Sequence, residues 1–145
     1  TQVLLENEVS SVTCVDVGSN QLHERIKYHP KITFFENTDI RNFQSENIFE
    51  VVTCDVSFIS ILNILNDINR LAPKDIIILF KPQFEVGTNV KRDKKGVVKD
   101  KNAILRARQK FVDSTLALNW NLKYSSLSKL QGKDGNEEEF FYFSK

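Results

Sequence analysis

Val51-Val-Thr-Cys-Asp55-Val-Ser-Phe-Ile-Ser60 joins an apolar run to a carboxylate and then to a segment with the look of a helix start. A buried strand that ends in this way delivers an acid to the edge of a sheet. About twenty-five residues on, the pattern returns with the opposite charge, as Asp75-Ile-Ile-Ile-Leu-Phe80 runs into Lys81-Pro82-Gln-Phe-Glu85. Five apolar residues in succession suit a strand covered on both faces, and Pro82, which has no N–H for a ladder, stops it. In an open parallel sheet, ligands bind outside the carboxyl ends of the strands. An acid and a lysine presented there by successive strands are a candidate reaction centre; a structural ion pair is the plainer alternative.

The rest of the chain fits the same kind of sheet. Residues 1–7 read as the end of a helix, Ser11–Gly18 as a strand closing on Asp16, and Asn20–Tyr28 as a helix ended by Pro30. Lys31–Glu36 is a third extended run, followed by Asp39. A helix is expected from about Ser60 to Leu71, with Ile61, Ile64, Leu65 and Ile68 on one stripe, and Pro73 with Lys74 turns the chain into the isoleucine-rich strand. Asp100 is placed to cap a long helix whose stripe is Ile104, Ala107, Phe111 and Leu118. The runs Leu122–Leu127 and Glu139–Phe143 read as a closing antiparallel edge pair. Six strands with helices between most of them make an α/β fold with a mostly parallel sheet. Such folds normally open with a strand and a glycine-rich turn; neither precedes the first helix here, so the chain reads as incomplete at its front.

Composition limits the function classes. The chain has 145 residues, 41% hydrophobic and 27% charged, with a net charge of +1. That suits one domain, and leaves any nucleic-acid surface to a local patch. No apolar run approaches the roughly 20 residues needed to span a bilayer, and nothing at the front reads as a signal peptide, so a cytoplasmic protein is expected. Cys14 and Cys54 fall inside strand patterns and read as reduced thiols, while His23 and His29 have no ligand spacing. No metal is expected. The cationic patch is the loop holding Lys91, Arg92, Lys94, Lys95, Lys99 and Lys101, which follows the strand that delivers Lys81.

Val15-Asp-Val-Gly-Ser-Asn-Gln-Leu22, Cys54-Asp-Val-Ser-Phe-Ile-Ser60, Phe80-Lys-Pro-Gln-Phe-Glu85, Lys95-Gly-Val-Val-Lys-Asp100 and Gly132-Lys-Asp-Gly-Asn136 resemble, in order along nearly the whole chain, the TlyA/haemolysin A family of FtsJ-like methyltransferases. The resemblance implies a class I S-adenosylmethionine-dependent methyltransferase fold, Rossmann-like with an antiparallel last strand. It implies 2′-O-methylation of ribose in ribosomal RNA, with S-adenosyl-L-methionine as cofactor and ribosomal RNA or a ribosomal subunit, not DNA or membrane, as partner. Residues 1–145 would be the methyltransferase domain without the S4-like RNA-binding domain that members carry upstream, and its exposed sheet edges could support a dimer.

Carried over residue by residue, the resemblance gives Asp16 and Val17 to the donor's ribose and Asp39 and Ile40 to its adenine edge. Of a Lys-Asp-Lys-Glu tetrad, Asp55 and Lys81 match the second and third members, with Asp55 also facing the donor. Glu138 matches the fourth, and Glu139 is the alternative one residue along. The first lysine would lie upstream of Thr1. Lys91, Arg92, Lys94, Lys95 and Lys99 would meet RNA phosphates. Rival readings are an inactive RNA-binding scaffold of the same ancestry, a membrane-active haemolysin, and a nicotinamide-binding enzyme using Asp16.

Overall fold

The structure, a computed structural model, describes residues 1–72, 74–132 and 134–145, so Pro73 and Lys133 lie outside the described residues. It divides into two compact units, residues 1–46 and 47–145.

The first unit holds α1 (Gln2–Glu6), β1 (Val12–Val15), α2 (Glu24–Lys27) and β2 (Ile32–Phe35). β1 and β2 pair in parallel from Val12 opposite Ile32 to Val15 opposite Phe35. The helix expected from Asn20 begins only at Glu24. Asn20 sits in the left-handed region at φ 55°, and His23 is extended, its ring nitrogen accepting the Arg25 N–H as an N-cap.

The second unit holds β3 (Val51–Cys54), a 3-10 turn (Ile61–Asn63), α3 (Leu65–Leu71), β4 (Asp75–Phe80), α4 (Pro82–Glu85), α5 (Lys101–Ala117), β5 (Asn121–Leu127) and β6 (Glu139–Ser144). The expected helix over 60–71 is broken at Ile64, whose φ of −126° leaves the helical range, but Ile61, Ile64, Leu65 and Ile68 are all buried as the stripe requires. Asp100 caps α5 by accepting the Ala103 N–H at 2.9 Å. The buried stripe of α5 is Ala103, Phe111 and Thr115, with Ile104, Ala107 and Leu118 only half-buried.

β3 and β4 are parallel, and the four-stranded order is β3-β4-β6-β5. β6 is antiparallel to both its neighbours. The expected closing antiparallel edge pair is present, with the last strand, β6, on its inner side against β4 and β5 outermost on that side. The reason is aromatic. Phe141 and Phe143 alternate onto one face of β6, where with Phe80, Phe111 and Trp120 they are almost wholly removed from water. Each such side chain contributes roughly 1.5–3 kcal/mol on burial, which favours a central position for the strand over an edge.

Candidate active site

β3 and β4 run the same way, so the residues that leave their carboxyl ends emerge at one edge of the sheet. Asp55 leaves β3 there, and Lys81 follows β4 as the N-cap of α4, where Pro82 fits because its missing N–H costs a first helical turn nothing. Lys81 Nζ lies 2.7 Å from Asp55 Oδ1 and donates to Ser57 Oγ at 3.0 Å. The pair is uneven: the lysine side chain is 13% exposed and the aspartate 67%. An ion pair so open on one side contributes at most about 1 kcal/mol to stability. What it fixes is the place and direction of the ammonium group.

The reversal of β6 brings its amino end to this same edge, with Glu139 opposite Phe80. Glu138 is buried there, and its Oε1 accepts from Gln83 Nε2 of α4 at 3.1 Å. Gly132 packs against it, and a Cβ at that position would stand 2.6 Å from Glu138 Oε1, so the carboxylate would have to shift. Glu139 instead forms a two-point ion pair with Arg108 of α5, both contacts at 2.7 Å. The two candidates for the fourth tetrad position are thus separated by their partners.

Asp16 and Asp39 belong to the first unit, beyond the carboxyl ends of the parallel strands β1 and β2. The Thr38 N–H donates to the Asp16 carbonyl at 2.9 Å, which sets the two acids side by side in the chain's path. Asp16 Oδ1 accepts the Gly18 N–H at 2.7 Å, and Val17 beside it is 70% exposed. Asp39 accepts from the backbone and the guanidinium of Arg41, an arrangement that holds its carboxyl down at about 2. Ile40 is half-buried.

The cationic loop is pinned at its base and open at its tip. Val97 and Val98 are buried, Arg92 bridges to Val98, and Asn136, itself buried, accepts the Val98 N–H at 3.1 Å. Lys91, Lys94 and Lys95 are exposed; Lys99 is exposed too, 3.5 Å from Asp93. Arg92 turns inward, its guanidinium donating to the carbonyls of Val90, Gln83 and Gly87.

Two neighbours of the lysine escaped the sequence reading. Both Ser57 and Phe58 lie in the segment expected to start a helix. The helical turn begins only after Ser60, and Phe58 stands 92% exposed in a left-handed backbone at φ 64°, its ring 5.2 Å from that of Phe84. A bulky residue in that region is strained, and such strain clusters at functional sites. Cys54, between these loops and the core, is inert: burial, then the Asp55 and Glu85 charges, push its thiol up to about 12.

Strands β3, β4 and β5 share one direction and β6 alone is reversed, with Asp55 and Lys81 at the carboxyl ends of β3 and β4. That is the fold of the S-adenosylmethionine-dependent methyltransferases. The N-methyltransferase NodS from Bradyrhizobium japonicum, solved with S-adenosyl-L-homocysteine, is similar with a TM-score of 0.62 over 99% of this chain and 71% of its own, at 12% identity, a likeness of fold alone. The chain belongs to the FtsJ-like methyltransferase family, which it matches over residues 1–145. It is 55% identical over 144 residues to the 23S rRNA (cytidine-2′-O)-methyltransferase TlyA of Campylobacter jejuni, covering 99% of this chain and 57% of that protein. To the 16S/23S rRNA (cytidine-2′-O)-methyltransferase TlyA of Mycobacterium tuberculosis it is 35% identical, covering 98% and 54%. A solved structure described as a "putative hemolysin" from Lactococcus lactis matches with a TM-score of 0.91 at 28% identity, covering 99% and 71%. The chain spans little more than half the length of the curated relatives it matches. Among the described residues no helix is long and apolar enough to cross a membrane.

Proposed function

We propose that this chain carries the catalytic residues of an S-adenosyl-L-methionine-dependent methyltransferase that modifies ribose 2′-hydroxyls of ribosomal RNA. The observation that carries the reading is the meeting of Lys81 with Asp55 and Ser57 at 2.7 and 3.0 Å, at the sheet edge to which β6 also brings Glu138.

The residues present suit the donor. Asp16 ends a parallel strand with an open carboxylate, the acceptor a ribose diol needs, and the exposed Val17 beside it offers apolar contact. Asp39 and Ile40 would meet the adenine edge. When bound, the donor supplies a methyl group already attached to a good leaving group. The protein's task is then alignment and relief of the hydroxyl proton. Asp55 and Ser57 hold Lys81 in one direction. The Lys81 ammonium stabilises the developing alkoxide or, once it has given a proton to solvent, takes the hydroxyl proton as the free amine, and Glu138 orients the ribose or the lysine. Phe58 offers an exposed aromatic face on which a nucleobase can stack, a contact tolerant of base identity. Lys91, Lys94, Lys95 and Lys99 meet phosphates, adding affinity with little sequence information.

The test is methyl transfer from labelled donor to unmodified ribosomal subunits by the full-length protein. Label at a nucleotide whose 3′ phosphodiester has become resistant to alkali is expected. No transfer, or label on a base, overturns the reading.

A further inference from the structure

We infer that Glu85 is a positioning residue for the Asp55–Lys81 pair, clamping the segment that carries Asp55, Ser57 and Phe58 onto the short helix that Lys81 begins. The inference rests on the function proposed above for its kinetic test and on geometry alone for the rest.

Residues 55–60 belong to no strand or helix, so no backbone ladder fixes them. They are held by side chains, and the partners come from α4 and its cap. Lys81 reaches Asp55 and Ser57, and Phe84 meets Phe58. Glu85 closes the far end. Its Oε2 accepts the Ser60 hydroxyl at 2.7 Å and its Oε1 accepts the Ile61 N–H at 2.9 Å, while Ser60 Oγ accepts the Leu62 N–H at 3.2 Å. The carboxylate thereby satisfies the first N–H of the 3-10 turn and holds the Ser60 hydroxyl that caps the next, so the turn is tied to α4 as well as capped locally. The group is half-buried, and burial raises its carboxyl against the two hydrogen bonds that lower it. With Lys81 at one end of α4 and Glu85 at the other, the segment between is held at both ends.

The experiment compares Glu85→Ala and Glu85→Gln, each alone and combined with Asp55→Asn, in the full-length protein. Glu85→Ala should lower kcat by about tenfold while KM for RNA and donor affinity stay nearly unchanged. Glu85→Gln keeps an acceptor for Ile61 and a partner for Ser60, and should restore most of the loss. In the Asp55→Asn background Glu85→Ala should cost little more, because its effect runs through the pair. Additive losses, or a change confined to KM, would overturn the proposal. Amide exchange gives a readout free of turnover: Glu85→Ala should speed exchange at Ile61 and Leu62 and leave Ile76 and Ile78 slow. Unchanged protection at Ile61 overturns the clamp even if the protein methylates RNA. Faster exchange at Ile61 in a protein without methyl transfer would uphold the clamp and sink only the function. Should Glu85→Ala fail to fold, Glu85→Asp, whose shorter side chain cannot reach Ser60 and Ile61 together, carries both readouts, with a severalfold loss in kcat and faster exchange at Ile61 expected and parental values of both overturning the proposal.

Discussion

The two units hold their acids in opposite ways. Asp16 and Asp39 are fixed by partners two residues away, the Gly18 N–H and Arg41. Lys81 and Glu138 are fixed by partners 24 and 55 residues away, Ser57 and Gln83. A local turn survives most changes elsewhere in the fold. A cluster drawn from three loops depends on sheet register and on every tie between the loops. The contrast teaches that the proposed donor-binding acids and the proposed reaction centre should fail separately.

After loss of Lys81 itself, the largest effect on the long-range side should come from Asp55→Ala, which removes the acid that directs Lys81. A loss in kcat of about a hundredfold is expected, in the lower range for a positioned acid–base group, with the fold intact by circular dichroism. Gly132→Ala comes next. Its methyl group would force Glu138 away, and a fall of roughly tenfold in turnover with little change in RNA affinity is expected. A crystal structure of the variant would check the displacement. Lys94→Gln with Lys95→Gln should leave turnover at saturating RNA unchanged and reduce the salt slope of RNA binding by roughly 1 to 2. An unchanged slope removes these lysines from the interface.

The local side makes a smaller and sharper prediction. Arg41 holds the Asp39 carboxyl at about 2, below the ordinary value, so the contact's contribution is complete at any pH above the usual carboxylate range. It is lost progressively as the pH falls from the ordinary aspartate range through about 2. Following the Asp39 side-chain carboxyl carbon by NMR should give a midpoint near 2. A midpoint near the ordinary value for aspartate, about 3.9, would mean that the Arg41 contact does not persist in solution.

The same contrast explains what the sequence could reveal. Asp55 and Lys81 were legible because an apolar run ending in a charge is a one-dimensional pattern, and Pro82 marks the stop. The α5 cap at Asp100 was legible for the same reason. The position of Glu138 beside α4 was not, because it follows from the insertion of β6 between β4 and β5, and only the packing of Phe141 and Phe143 decides that. The exposure of Phe58 was not legible, because it lies in a segment that reads as a helix start and its left-handed backbone has no glycine or asparagine to announce it. The part played by Glu85 was not legible, because its partners, Ile61 and Ser60, lie 24 and 25 residues away.

The most direct test of the divided site sets two variants of the full-length protein side by side, Lys81→Ala and Asp16→Ala, each measured for donor binding by calorimetry and for single-turnover methyl transfer to ribosomal RNA. The expected result is a crossed pattern. Lys81→Ala binds the donor nearly as the parent does and transfers almost nothing. Asp16→Ala binds the donor more weakly and, at saturating donor, transfers at a rate close to the parent's. Substantial turnover by Lys81→Ala, or loss of donor binding and transfer together in both variants, would contradict the account.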